Sequence, residues 1–205
     1  MTARALVVVD LQNDFCPGGA LAVPGGDAVV LVVNAITRRF DLVVATQDWH
    51  PADHGSFAVN HAGASMGDVV DLGGVSQVLW PAHCVQDTAG AEFHADFDRA
   101  PVAAIIRKGM DPGVDSYSTF FDNARKRITG LGGYLRDRSV TEVWFAGLAT
   151  DYCVAYSVLD AVDLGFSAVV LTDACRGIDL APGDVGHALD GMVAAGAVLR
   201  TSADA

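Results

Sequence analysis

Six short apolar runs recur along the chain, and the segments between most of them carry a helical pattern. The runs are continuous, rich in valine and isoleucine, and three to five residues long. Runs of this kind, joined by crossover helices, are typical of parallel strands that are covered on both faces. They predict an α/β fold, a three-layer α/β/α sandwich around a six-stranded, mainly parallel sheet. The runs are 5–9, 42–45, 102–106, 143–146, 168–171 and 197–199.

Four segments show apolar residues at a spacing of about three to four, which is typical of helices that pack one face on a core. These segments are 26–39, 120–138, 152–164 and 182–195. The stretch 47–97 shows little periodicity and many Gly, His, Pro and Asp residues. Its aromatic residues argue against disorder, so we expect an ordered insertion that covers a site. A length of 205 residues suits one domain, and we predict a single domain over 1–205.

Charge and hydropathy restrict the partners of the chain. The formal net charge is -12 and the isoelectric point is about 4.6, so nucleic acid and anionic membrane surfaces would be repelled. Apolar residues make up 51% of the sequence, yet no stretch approaches the ~18 unbroken apolar residues of a spanning helix. The start of the sequence lacks a signal-peptide pattern. We expect a cytoplasmic enzyme without nucleic-acid or membrane partners, and homo-oligomer formation is left open.

The four cysteines are widely spaced and form no CxxC pair. A chain of this length needs no disulfide staples, so free thiols in a reducing compartment are expected. Cys16, Cys84 and Cys175 are interpreted as partly buried, unreactive thiols, and the adjacency of Cys84 to His83 leaves a metal contact open. Cys153 differs because it lies between an apolar run and a predicted helix. Backbone N–H groups and the helix dipole at such a junction favour the thiolate.

Three chemically complementary residues stand at or beyond the ends of apolar runs. Asp10 follows the first run, Lys108 follows the third, and the fourth leads to Cys153. Ligands of open parallel sheets bind beyond the carboxyl ends of the strands, so we expect these side chains to meet. A carboxylate can move the proton of a thiol nucleophile, and an ammonium can hold the carboxylate. The ordinary alternatives are a buried inert thiol, a capping aspartate and a solvated lysine.

A second group of residues has the character of metal ligands. Asp48 and His50 are two apart in an extended segment and would point to the same side, and His83 lies in the same insertion. A mixed oxygen and nitrogen site of this kind suits Zn, Mn or Fe. His54 could add a ligand or orient one. Solvated loop side chains are the alternative.

The aromatic residues Phe15 and Trp80 could bracket a flat substrate, although aromatic residues also pack loops onto sheets. The remaining histidines are interpreted as exposed or structural, and three further aspartates as turn or cap residues. These are His61, His94 and His187, and Asp14, Asp53 and Asp151.

Five motifs, taken together and in order, resemble the nicotinamidase branch of the isochorismatase-like cysteine hydrolases. The resemblance runs from about residue 4 to about residue 199. Each motif alone is unspecific, whereas the set is specific. The motifs are VDLQNDF at 9–15, DWHP at 48–51, WPAHCVQ at 80–86, KG at 108–109 and GLATDYCV at 147–154.

The resemblance implies hydrolysis of nicotinamide to nicotinate and ammonia through a cysteine thioester, a step in NAD salvage, and the same activity on pyrazinamide. It implies that Cys153 is the nucleophile, Asp10 the general acid and base, and Lys108 its electrostatic partner. It also implies a non-proline cis peptide bond at Leu148-Ala149 and an oxyanion hole formed by the N–H groups of Ala149 and Cys153.

One divalent metal ion is a further implication of the resemblance. In the family the metal holds the pyridine ring nitrogen, which places the carboxamide near the cysteine. The implied ligands are Asp48, His50 and His83, with His54 matching a fourth ligand of some members. Phe15 and Trp80 would flank the ring, and Tyr152, where some relatives have histidine, would tune the pocket.

Two other classes of function compete with this one. An isochorismatase or an N-carbamoyl amidohydrolase would share the scaffold, but those relatives generally lack the full set of Asp48, His50 and His83. A noncatalytic or thiol-redox protein with a structural metal would leave the coincidence of Asp10 and Lys108 with a cysteine unexplained.

Overall fold

The structure is a computed structural model that describes residues 3–205. Eight strands are present in this part of the chain. They are β1 (Ala3–Val9), β2 (Leu42–Asp48), β3 (Val69–Leu72), β4 (Val75–Val78), β5 (Ala104–Lys108), β6 (Val140–Leu148), β7 (Ser167–Arg176) and β8 (Val198–Arg200). Six strands form the main sheet in the order β5-β2-β1-β6-β7-β8, and every pairing in it is parallel.

Helices cover both faces of this sheet. They are α1 (Ala28–Ile36), α2 (Leu131–Asp137), α3 (Ala155–Asp163) and α4 (Asp184–Ala195). Successive residues of β1 point to opposite faces, as in any strand. Leu6 and Val8 belong to the core under α1, whereas Val7 and Val9 belong to the core under the other three helices. The predicted three-layer α/β/α sandwich is confirmed.

The order of the strands fixes where a ligand can bind. From β1 the chain adds β2 and β5 on one side and then β6, β7 and β8 on the other. Beyond the carboxyl ends of β1 and β6 the connections diverge to opposite faces, which opens a crevice at that point. Gly147 lies where β6 passes the end of β1, with a φ of +122°. A side chain there would collide with the backbone of Val9, so the close approach requires glycine.

The predicted helix over 120–138 is wrong for its first half, because helix α2 begins only at Leu131. The carboxylate of Asp122 accepts hydrogen bonds from the backbone N–H groups of Lys126 and Arg127, at 2.8 and 3.0 Å. Aspartate competes in this way with the helical hydrogen-bond ladder. The turn that it stabilises ends at Gly130, whose φ of +94° lies in the left-handed region.

Other boundaries differ less. The predicted helix 26–39 is α1 followed by a 3-10 turn at Thr37–Arg39. The predicted helix 152–164 is a π-helical turn at Thr150–Val154 that continues into α3. The predicted helix 182–195 corresponds to α4. The third apolar run pairs as 104–108 rather than 102–106. The insertion 47–97 contains the antiparallel hairpin β3–β4, which its weak periodicity did not predict. No helix among residues 3–205 is long and apolar enough to cross a membrane.

Candidate active site

Four strand ends converge on one buried cluster of side chains. Asp10 directly follows β1, Asp48 is the last residue of β2, and Lys108 is the last residue of β5. Cys153 lies in the π-helical turn after β6. All four side chains are buried. The structure therefore brings together Asp10, Lys108 and Cys153, which lie far apart in the sequence, and places one of the expected metal ligands beside them.

The ammonium group of Lys108 is the centre of this cluster. Its Nζ lies 2.9 Å from Asp10 Oδ2, 2.6 Å from Asp48 Oδ1 and 3.4 Å from the Cys153 sulfur. It also donates a hydrogen bond of 2.9 Å to the backbone oxygen of Ser116. One buried cation thus contacts the thiol and two carboxylates, which is an arrangement suited to a compact ammonium rather than a planar guanidinium.

The three charged groups titrate as a set. Burial lowers the pKa of Lys108, but the charges of Asp10 and Asp48 outweigh burial and hold that pKa well above its ordinary value. Burial raises the pKa of Asp10 to about 6 despite the opposing effect of Lys108. Burial also acts to raise the pKa of Asp48, but Lys108 and His50 reverse the shift and hold it well below its usual range. Asp10 is the carboxyl group whose pKa lies in the range of a proton carrier.

The backbone and a threonine fix the orientation of Asp10. Its φ of +49° places it in the left-handed region, where a non-glycine residue is uncommon. Thr46 Oγ1 donates a hydrogen bond of 2.6 Å to Asp10 Oδ1. The other oxygen, Oδ2, is buried and ion-paired with Lys108, but it has no hydrogen bond in the described part of the chain, because Lys108 donates to Asp48, Ser116 and Cys153. Oδ2 is therefore free to accept a proton.

The surroundings of Cys153 favour the protonated thiol over the thiolate. Burial raises the pKa of the thiol well above its ordinary value, and the opposing attraction of Lys108 does not offset it. The direction of this shift is opposite to the expectation that the strand-to-helix junction favours the thiolate, because burial and the nearby carboxylates raise the pKa of the thiol. A carboxylate oxygen of Asp10 and the Cys153 sulfur lie within 4.8 Å of each other, so a base stands next to the thiol.

The expected metal ligands Asp48, His50 and His83 also come together. One donor atom from each lies within 4.8 Å of the others. His50 Nδ1 donates to the backbone oxygen of Gly109 and His83 Nδ1 to that of Pro81, each at 2.8 Å. In the neutral form of each ring, these bonds assign the single proton to Nδ1 and leave the Nε2 lone pair available as a ligand. A side chain at Gly109 would collide with the His50 ring.

His54 lies against the same group. Its ring centroid is 4.4 Å from that of His50, and its Nδ1 is 2.7 Å from Ser56 Oγ. The buried Nε2 has no hydrogen-bond partner in the described part of the chain. Burial lowers the pKa of both His54 and His83 to about 4, so both are neutral, as metal ligands must be. This set of one carboxylate and imidazole nitrogens fits a divalent transition-metal ion.

Aromatic and aliphatic side chains enclose the pocket beside Cys153 and His83. The space between these side chains is about 330 Å³, including the part that is open to solvent, so the pocket suits only a small molecule. Trp80 and Tyr152 meet edge to face, with ring centroids 4.8 Å apart. Phe15, Trp80, Tyr152 and Ala149 all line the pocket. The peptide bond between Leu148 and Ala149 is cis.

Sequence reasoning missed four residues that also line this pocket. They are Leu21, Asp115, Tyr117 and Ile178. Tyr117 OH accepts a hydrogen bond from Trp80 Nε1 at 3.0 Å and holds that ring in place. Asp115 and Tyr117 follow Lys108 by only seven and nine residues, which is the one sequence signal that could have pointed to them. Ile178 and Leu21 carry no such signal.

Two of the aspartates that were interpreted as turn or cap residues accept hydrogen bonds from backbone N–H groups. The carboxylate of Asp14 accepts a hydrogen bond from the backbone of Cys84 at 2.7 Å. Asp151 accepts two, from the backbone N–H groups of Ile178 and Asp179, at 2.9 and 2.7 Å. Burial raises the pKa of the other three thiols, to about 11 for Cys16 and about 12 for Cys175.

Comparison with known proteins identifies the family. The model of the isochorismatase domain matches residues 4–204, and this chain belongs to that family. The nicotinamidase of Escherichia coli (strain K12) is 51% identical over 208 residues, which cover 100% of this chain and 97% of the relative.

Solved structures agree with this similarity. A nicotinamidase and pyrazinamidase of Acinetobacter baumanii is 46% identical and has a TM-score of 0.96, covering 100% of this chain and 98% of its own. The pyrazinamidase of Pyrococcus horikoshii, in complex with zinc, is 39% identical and has a TM-score of 0.79, covering 97% of this chain and 98% of its own.

Proposed function

We propose that this chain is a nicotinamidase that hydrolyses nicotinamide to nicotinate and ammonia through a thioester on Cys153, and that it also accepts pyrazinamide. The observation that carries the proposal is the position of Lys108 Nζ, which contacts Asp10, Asp48 and Cys153 at 2.6 to 3.4 Å. Two of these partners, Asp48 and Cys153, line one small aromatic pocket. An amide-cleaving set and a set of metal donors thus serve the same ligand. The full-length similarity to nicotinamidases supports the substrate.

The acylation step follows from the resting protonation states. The Cys153 sulfur attacks the carboxamide carbon as its proton passes to Asp10 Oδ2, which lacks a hydrogen bond and belongs to a carboxyl group with a raised pKa. The carbonyl oxygen becomes an oxyanion, which the N–H groups of Ala149 and Cys153 would stabilise. When the tetrahedral intermediate collapses, the C–N bond breaks and Asp10 returns the proton to the departing ammonia.

Hydrolysis of the thioester reverses the roles. Asp10, again ionised, takes a proton from water, and the water oxygen attacks the acyl carbon. The C–S bond breaks, the proton returns from Asp10 to sulfur, and the product leaves as nicotinic acid, which releases its remaining proton to water and becomes nicotinate. Lys108 keeps its charge throughout, because its pKa lies well above neutrality, and it limits the repulsion between the thiolate and Asp10.

Asp48, His50 and His83 would hold one divalent ion, Zn, Mn or Fe, with His54 as a further ligand. When bound, this ion supplies a Lewis-acidic position for the pyridine nitrogen of the substrate. Phe15, Trp80 and Tyr152 would confine the ring so that the carboxamide faces Cys153. These side chains fix the pose, and a fixed pose contributes to the rate of the chemical step.

We further propose that the chain works as one domain over 1–205, with the segment 47–97 as its metal-binding insertion, in the cytoplasm. The net charge of -12 supports the absence of nucleic-acid and anionic-membrane partners. Homo-oligomer formation is a matter for measurement in solution.

The test is ammonia release from nicotinamide by the purified protein, before and after chelation of its metal. The proposal expects release that chelation abolishes and added Zn²⁺ or Mn²⁺ restores. Cys153→Ala should keep its fold and metal but release no ammonia, whereas Cys16→Ala, a matched loss of a buried thiol outside the pocket, should behave as wild type. Turnover by Cys153→Ala would contradict the proposal.

Two control substrates separate the competing functions. Isochorismate should not be hydrolysed, because the metal donors in the pocket suit a ring nitrogen. Benzamide has the shape of nicotinamide without that nitrogen and should be a poor substrate. Efficient hydrolysis of isochorismate with no ammonia from nicotinamide would favour the isochorismatase alternative.

A further inference from the structure

Asp115 is a buried carboxylate that the reaction described above does not use. It lies in the loop after β5 and is 3% exposed. Oδ1 accepts a hydrogen bond from the backbone N–H of Ser116 at 2.7 Å, and Oδ2 accepts a long one from Gln77 Nε2 at 3.3 Å. Within residues 3–205 no lysine or arginine nitrogen lies within 4.0 Å of this carboxylate. Buried carboxylates are normally paired with a cation, so we expect a cation to bind next to Asp115.

The surroundings of Asp115 point toward the metal donors. One of its carboxylate oxygens and one ring nitrogen from each of His50 and His54 lie within 4.8 Å of one another. The buried Nε2 of His54 has no hydrogen-bond partner in the described part of the chain. Asp115 also lines the pocket together with Asp48 and His83. A carboxylate without a lysine or arginine partner and an imidazole with an unbonded nitrogen are therefore neighbours.

The buried charges of the site support the same conclusion. Asp10, Asp48 and Asp115 contribute three carboxylates, and Lys108 is the buried ammonium among them. Among these four side chains, when all are ionised, the carboxylates exceed the ammonium by two charges, which is costly in a region of low dielectric constant. A divalent cation would neutralise that excess. The set of Asp48, His50 and His83 by itself does not account for the charge of Asp115.

We propose that Asp115, in the loop after β5, is a further side chain of the cation site. Together with His54 it faces the bound divalent ion, and its charge raises the affinity of the protein for that ion. The inference rests on the cation of the proposed function, but not on which substrate is hydrolysed. Asp115 also links the ion to the rest of the pocket, because the carbonyl oxygen of Ser116 accepts a hydrogen bond from Lys108, and the hydroxyl oxygen of Tyr117 accepts one from Trp80.

A purely structural role is the rival explanation, since Asp115 also accepts bonds from its own loop and from the hairpin strand β4. Two variants separate the roles. Asp115→Asn removes the charge and keeps the shape, whereas Gln77→Met keeps the carboxylate and removes the hydrogen bond that ties it to β4. Asp53→Asn removes an exposed charge next to His54 and controls for the general loss of negative charge.

The experiment measures binding of Zn²⁺ and of Mn²⁺ to the metal-free proteins by titration calorimetry, and the rise in Tm that each metal produces. Loss of a side chain that supports a metal site typically costs 10- to 100-fold in affinity, and we expect a loss of about that size for Asp115→Asn. Its metal-induced rise in Tm should shrink accordingly. Gln77→Met and Asp53→Asn should bind within about twofold of wild type, because both keep the Asp115 carboxylate.

Wild-type metal affinity in a folded Asp115→Asn protein would overturn the proposal. An equal loss in Asp115→Asn and Gln77→Met would also overturn it, because the effect would then come from order in the loop. A structural role lowers the Tm of the metal-free and metal-loaded forms equally, which the paired melting curves detect. Absence of ammonia release from nicotinamide by the wild type would refute the proposed substrate and leave these binding results intact.

Discussion

Asp10→Asn should change two properties of Cys153 in opposite directions. The substitution keeps the shape of the side chain and its hydrogen bond from Thr46, but removes the proton acceptor and one negative charge. Loss of the acceptor should reduce nicotinamide hydrolysis by roughly a hundredfold to ten-thousandfold. Loss of the charge should make the thiolate easier to form, because the charge of Asp10 is one of the causes that raise the pKa of the thiol.

The size of the second effect follows from the distance between the groups. With an effective dielectric constant of about 20, unit charges on Asp10 and the Cys153 sulfur repel by about 3.5 kcal/mol at the limiting separation of 4.8 Å. Removal of this repulsion would increase the thiolate population at neutral pH by about 300-fold. A thiolate whose thiol has a lower pKa is also a weaker nucleophile. On a logarithmic scale this weakening offsets nearly half of the increase in reactivity that the larger thiolate population would give. The rate of alkylation should rise by about 20-fold.

The assay is the rate of Cys153 carbamidomethylation by iodoacetamide near neutral pH, measured by mass spectrometry of the labelled peptide. The three other cysteines are buried and serve as internal references in the same digest. Asp137→Asn is the matched control, because it removes one aspartate charge from a side chain that is 81% exposed. Its alkylation and hydrolysis rates should equal those of the wild type.

Slower alkylation in Asp10→Asn would refute the reasoning. It would show that Asp10 already holds the thiol proton in the free enzyme, so that a thiolate rather than a thiol is the resting form. Near-normal hydrolysis by the same variant would refute the assignment of Asp10 as the proton carrier.

Three further predictions concern the same pocket. Lys108→Arg should lose at least about a hundredfold in kcat, because a planar guanidinium cannot replace an ammonium that contacts four acceptors at 2.6 to 3.4 Å. Asp151→Ala removes two hydrogen bonds that hold the loop carrying Ile178 against the pocket, so KM should rise more than kcat falls. In the metal-free protein, Asp10→Asn should raise Tm near neutral pH. Burial raises the folded-state pKa of Asp10 from 3.8 to about 6, so the wild type loses stability as pH rises through about 6 and the advantage of the variant should vanish near pH 4.

Each of these predictions has a result that contradicts it. Near-normal turnover by Lys108→Arg would show that the ammonium is not required. A kcat loss in Asp151→Ala without a change in KM would indicate that Asp151 acts on Cys153 rather than on the wall formed by Ile178. Melting curves of wild type and Asp10→Asn that run parallel from about pH 4 to about 8 would show that burial does not shift the pKa of Asp10.

The sheet could be predicted from the sequence because its strands are buried on both faces. Val7 and Val8 belong to different cores, so the run that contains them is apolar throughout and stands out against the helical segments. The hairpin β3–β4 lacks this signal, since it lies on the surface with residues such as Val69 exposed. The turn before α2 depends on the hydrogen bonds of one aspartate, Asp122, which hydrophobic periodicity does not register.

The convergence of Asp10, Lys108 and Cys153 could likewise be predicted, because carboxyl ends of parallel strands share one edge of a sheet. The protonation state of the thiol could not, since it depends on how far the site is buried. Asp115 escaped prediction for a related reason. It comes from a loop without periodicity, and its proximity to His54 arises only when that loop folds back over the insertion.

The position of Lys108 also alters how the metal and the chemistry relate. If the cation only anchored the substrate ring, metal binding and the chemistry at Cys153 would be independent of each other. Lys108 Nζ connects them, because it lies 2.6 Å from Oδ1 of the metal donor Asp48 and 3.4 Å from the Cys153 sulfur. A cation bound to Asp48 weakens the attraction between Asp48 and the Lys108 ammonium, because a carboxylate shared between two cations attracts each of them less strongly. The ammonium would then act more strongly on Asp10 and on the thiolate. Metal binding should therefore increase the alkylation rate of Cys153 even without substrate, whereas a pure anchor would leave that rate unchanged.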